Sequence, residues 1–206
     1  MQEPLKDTIK RYCALPLYRN IPGLLDKQNE IQTIHDEAAQ AFYDTHRENA
    51  WSAARAKDYM TATTFCVTGL KQLETLPYTE HDKKATRILL TRRLGRVYEH
   101  WATFGLETVP LENPDRQKKF VTAAFLYMQA DFELGGITEF AGRAGEALRG
   151  ARLFDEGDTL MRAFWGKDAI ITSDPVVIAE HIADKRRGPS ESTGGGTVDT
   201  WGKFIT

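Results

Sequence analysis

The chain has 206 residues, with 27 Lys+Arg against 29 Asp+Glu and a formal net charge of -2. Hydrophobic residues make up 41% and charged ones 27%, which excludes a collagen-like chain, a wholly disordered one and a disulfide miniprotein. The balanced charge argues against a protein that holds nucleic acid by bulk electrostatics.

Residues 1–25 read as an N-terminal arm. A short helix is expected over Lys6 to Leu15, before Pro16 and Ile21-Pro22-Gly23 break the chain. Its first residues contain no apolar stretch of the kind a secretion signal uses, and Glu3 and Asp7 are unlike a mitochondrial presequence. From Leu24, the residues Ile31, Ile34, Ala38, Ala41 and Phe42 recur at three- and four-residue spacing on one helix face. A second helix is expected over Asn49 to Lys57 and a third over Tyr59 to Leu76, capped by Asp58.

After the break at Leu76-Pro77, Ala85 to Phe104 is the clearest amphipathic stretch. Leu90, Leu94, Val97, Tyr98 and Trp101 form its apolar stripe, and Arg87, Arg92, Arg93 and Arg96 lie mostly off it. Asn113-Pro114-Asp115 opens the next helix, which is apolar on more than one face through Leu134 and is expected to be the central buried one. The apolar run from Phe120 to Leu134 includes Gln129, Asp131 and Glu133, so no membrane span is expected. Thr138 to Leu148 and Phe154 to Trp165 read as two more helices, and Asp174 to about Ala183 as a last one. Residues 185–206 form a Gly/Ser linker ending in Trp201, Phe204 and Ile205, a peptide suited to docking on a partner or on its own core. No useful strand alternation occurs. The expected class is all-α: antiparallel helix pairs in a helical domain over 26–184, arranged as a solenoid or as an irregular bundle.

One stretch resembles a tetratricopeptide repeat. Ala56-Lys57-Asp58-Tyr59-Met60-Thr61-Ala62 is similar to that family's turn and second-helix start, and Ala62, Gly69 and Leu70 fall at its small and apolar positions, in a unit from about Tyr43 to Leu76. Leu94, Gly95 and Tyr98, then Ala123, Tyr127 and Ala130, partly match a second unit, interrupted by residues that include Pro110 and Pro114. A third unit around Ala141 to Trp165 is more degenerate. The resemblance covers about half the chain. It implies that small residues let paired helices approach closely and that first helices line a concave, partner-binding groove.

Carried over by position, that groove would hold Asp44, Arg47, Trp51 and Arg55 from the first unit, and Leu89, Arg92, Arg96, Glu99 and His100 from the second. Arg47, Trp51 and Arg55 are four apart, as are Arg92, Arg96 and His100. The expectation is a basic stripe with one aromatic, suited to an acidic peptide, with Trp201 and Phe204 as further partner-binding residues.

Catalytic signatures are absent. His35, His46, His81, His100 and His181 complete neither His-Glu-x-x-His nor the Glu-x-x-His of di-iron bundles, so no metal or cofactor is expected. Cys13 and Cys66 sit among apolar neighbours, which fits small buried thiols in a reducing compartment, with the cytoplasm the first expectation. The basic clusters at 83–96, 116–119 and 185–187 read as solvated faces, since they come with no known RNA-binding motif. The leading reading is a non-catalytic protein-interaction module, an adaptor or scaffold. The alternatives are a structural subunit of a large assembly, gripping neighbours with its ends, and a helical enzyme whose site is assembled between helices.

Overall fold

In the computed structural model, residues 3–18 and 21–165 are described. The expected 174–183 helix, the linker, Trp201 and Phe204 lie outside the described residues. The fold is all-α: α1 (Glu3–Cys13), α2 (Leu24–Gln32), α3 (Glu37–Arg55), α4 (Tyr59–Leu73), α5 (Glu80–His100), a π-helical turn (Trp101–Gly105), α6 (Pro114–Leu134), α7 (Phe140–Gly150) and α8 (Phe154–Trp165). None of these helices is long and apolar enough to cross a membrane.

Local chemistry sets most boundaries. Asp36, Asp58, Thr79 and Asn113 each accept a backbone N–H of the turn they start, at 2.9 to 3.1 Å. Such caps stabilise a helix by about 1 kcal/mol each. Pro114 occupies the first turn of α6, where a missing N–H costs nothing, and Gly135 ends that helix at φ 75°, a left-handed conformation open to glycine.

Two boundaries differ from expectation. The periodic run from Leu24 is not one helix: the chain turns at 33–36. Asp82, at the start of α5, accepts from the backbone N–H of His35 at 2.7 Å and of Asp36 at 3.4 Å. A carboxylate 46 residues downstream therefore supplies the break that no Gly or Pro announces. Conversely, 49–57 is not a separate helix but the end of α3, which runs on to Arg55.

Each helix from α3 to α8 packs on the next, and α6 meets α7 as extensively as α3 meets α4. We take α3/α4, α5/α6 and α7/α8 as successive pairs in chain order. The first and last pairs have three-residue connections, which makes them antiparallel. Small residues mark the close approaches. A Cβ on Gly69 would lie 2.9 Å from the His46 ring, and one on Gly95 would lie 3.0 Å from the Tyr127 ring. The α7–α8 crossing is tighter, since a Cβ on Gly157 would lie 2.7 Å from the Gly145 carbonyl oxygen.

α5 shares with α6 the central position expected of α6 alone, because α2, α3, α4 and α6 all pack on it. The main core lies among α1, α6, α7 and α8, with Phe120, Tyr127, Met128, Leu148 and Leu160 buried. A second cluster joins α3, α4 and α5 through Ala54, Tyr59, Ala62 and Val97. The expected arm is in large part core: Leu5, Ile9 and Tyr12 of α1 are buried. The Tyr12 hydroxyl donates to Asp131 Oδ2 at 2.6 Å.

Candidate functional site

One polar-aromatic cluster draws side chains from α3, α5 and α7, the first helices of the three pairs, and from α4, α6 and the π-helical turn. Trp51 of α3 is its platform. The guanidinium carbons of Arg93 and Arg96 lie 5.6 and 5.7 Å from the Trp51 ring centroid, and the His100 ring meets the indole edge-on at 5.5 Å. Arg143 of α7 reaches Glu99 of α5 at 3.7 Å, and Tyr127 of α6 donates its hydroxyl to the same carboxylate.

Aromatic rings hold the far end of the cluster. Tyr59 of α4 stacks on Trp101 at 5.7 Å and 10°, and its hydroxyl lies 3.1 Å from His100 Nδ1. Phe104 packs against His100 at 4.5 Å and is itself exposed. The Lys119 ammonium sits 3.9 Å above Trp101. The π-helical turn carries Trp101 and Phe104, and Gly105 closes it under the Tyr59 ring. A Cβ on Gly105 would stand 2.4 Å from a Tyr59 ring carbon, so glycine is what lets Tyr59 seat there.

Positive charge is concentrated here. Burial pulls the Arg96 guanidinium below its usual pKa, and repulsion from Arg143 and Arg93 adds to that. His100 is also held below the usual imidazole value, first by burial and then by Arg96 and Lys57.

The expected stripe is partly realised. Trp51, Arg96 and His100 meet as anticipated. Arg47 points along α3 instead, paired with Asp44 and Glu48 at 3.1 Å and lying over Tyr43. Arg55, the last residue of α3, is exposed. Arg92 is not on this face. It is 7% exposed and turned inward, donating to Asp131 Oδ1 and Thr138 Oγ1, each at 3.1 Å.

Helix geometry explains the exchange. A four-residue step overshoots a turn by about 40°, so Arg92 and His100 are about 80° apart, whereas Arg93 and His100 differ by only about 20°. Arg93 was the better match by seven-residue spacing and was missed. Arg143 carried no sequence signal, since only the packing of α7 brings it near α5.

Among the described residues, no group of three or more His, Cys, Asp or Glu side chains is placed to hold a metal ion. Both cysteines are free thiols, and burial pushes Cys66 up to about 12, far from the reactive range. No protein-family model matches the chain, and neither a curated protein nor a solved structure matches it.

Proposed function

We propose that the chain is a non-catalytic interaction module whose α3–α5–α7 face takes an acidic segment of a partner protein. The observation that carries this reading is that Arg93 and Arg96 of α5 lie over Trp51 of α3, with Arg143 of α7 near enough to repel Arg96. Like charges held together weaken each other's protonated state, and an incoming carboxylate relieves that repulsion. The indole offers an apolar contact beside them, as peptide-binding helical grooves do.

The test is fluorescence anisotropy with a short labelled peptide of alternating glutamate and glycine. Binding should weaken about tenfold on Arg93→Gln or Arg96→Gln, as for the loss of a charge-assisted hydrogen bond. It should also fall steeply with added salt. Equal affinity for the parent chain and for both variants, or equal binding of a lysine–glycine peptide, overturns the reading.

A further inference from the structure

Arg93, His100 and Phe104 form one line along α5 and the π-helical turn that follows it. Arg93 and His100 differ by only about 20° around the helix. The Phe104 ring packs on the His100 ring at 4.5 Å, so the wider turn keeps it on the same line.

The two ends of this line differ in chemistry. Near Trp51 and His100, most cations already hold an acid. Arg143 reaches the Glu99 carboxylate at 3.7 Å, and Lys57 reaches Glu107 at 3.1 Å. Arg93 makes no ion pair with a carboxylate among the described residues; it lies over the Trp51 ring, with Arg96 over the same ring. Its charge is the one left for a carboxylate from outside.

At the other end Phe104 is 46% exposed. It is nonetheless held in place, by His100 on one side and by Gly105, which sits under the Tyr59 ring. The Gly105 contact also sets 104–105 against the start of α4, where Met60 is 66% exposed. A bulky apolar side chain laid on Phe104 would take its ring out of water.

Distances fix how far apart a partner must carry its two groups. The Arg93 guanidinium is 5.6 Å from the Trp51 ring, Trp51 is 5.5 Å from His100, and His100 is 4.5 Å from Phe104. These steps cap the separation at about 16 Å, which is also about the helical rise from Arg93 to Phe104. Side chains of an extended chain alternate between its two sides, so both groups face α5 only at an even spacing. Two residues, about 7 Å, fall short of Phe104; four, about 13 Å, reach it once the side chains are added.

We propose that the partner segment is extended and carries, four residues from the carboxylate that meets Arg93, a bulky apolar side chain that covers Phe104. This rests on the acidic-segment reading and adds to it a second anchor and a spacing.

The experiment is a ¹H–¹⁵N NMR titration of the full chain with three end-blocked Gly/Ser peptides, each with a central glutamate. One has leucines four residues to either side, one has them three residues to either side, and one has none; symmetric placement covers both chain directions. The four-residue peptide should bind at least about fivefold more tightly than the other two, the scale of partly burying one leucine. Overhauser contacts between its leucine methyls and the Phe104 ring should appear in the parent chain, a result that stands even if a variant fails to fold. In Phe104→Ser the advantage of the four-residue peptide should vanish. Absence of the contacts, equal binding of the four- and three-residue peptides, or an advantage retained in a folded Phe104→Ser chain overturns the proposal. If the alternating glutamate–glycine peptide still binds in that case, the acidic-segment reading stands without the apolar anchor. If no acidic peptide binds, both fall.

Discussion

Arg92 of α5 donates to the Asp131 carboxylate of α6 across 3.1 Å in a place where Asp131 is fully buried. Tyr12 from α1 and Thr138 beyond α6 donate to the same carboxylate at 2.6 and 2.7 Å. One acid thus ties α1, α5, α6 and the entry to α7 together. Burial pushes Asp131 above the ordinary carboxylate pKa, while Arg92 and the hydroxyls pull it back only in part.

Arg92→Met should therefore cost about 3–5 kcal/mol in urea unfolding at neutral pH, because it leaves a buried carboxylate without its cation. A group whose folded pKa is raised favours the fold when protonated and loses that benefit as pH rises through the folded value. The penalty of Arg92→Met should accordingly shrink as pH falls towards the ordinary carboxylate range. A penalty independent of pH would show that the pair is not what the substitution breaks.

His100 is expected to be neutral at pH 7, with a folded pKa below the usual imidazole value because of burial, Arg96 and Lys57. A lowered folded value means the stability this group contributes is complete above the unfolded imidazole pKa and is lost as pH falls through the folded one. Arg96→Gln removes one repelling charge, so the ¹H NMR titration midpoint of His100 should move up. A midpoint that stays put or moves down refutes the placement of Arg96 beside His100.

Asp82 is held below the ordinary carboxylate pKa by the Thr79 hydroxyl first and then by the His35 backbone N–H. Its contribution is present above the unfolded carboxylate value and is lost as pH falls through the lower folded value. Asp82→Asn should flatten that acid limb of the stability–pH curve. Hydrogen exchange at His35 and Asp36 should accelerate in the same variant, since their N–H groups lose a charged acceptor. Unchanged exchange at both amides would contradict the role of Asp82 in closing the α2–α3 turn.

Gly157→Ala raises helix propensity yet should destabilise α8, by about 1–3 kcal/mol. The added methyl would stand 2.7 Å from the Gly145 carbonyl oxygen and 2.7 Å from Arg149 Cγ. The arginine can move, but the carbonyl belongs to the α7 backbone. Thermal unfolding monitored by circular dichroism decides it, and an unchanged or raised midpoint would mean that the two helices separate easily.

The helical class, most helix starts and the α8 span were legible from the chain alone. They depend on interactions within a few residues: apolar spacing, the caps at Asp58 and Asn113, and Pro114 in a first turn. The proposed face was half legible. Trp51, Arg96 and His100 were found by spacing, but spacing has no direction and cannot say which side of α5 faces the core.

The amino-acid sequence by itself determined an all-α chain of paired helices, because side-chain periodicity and capping act locally. Tertiary structure decided the rest. It turned Arg92 inward to Asp131, brought Arg143 to Arg96, drew α1 into the core and broke the 24–42 run at Asp82's carboxylate. Each of these depends on a partner tens of residues away, whose position exists only once burial and charge pairing have been satisfied for the whole chain together.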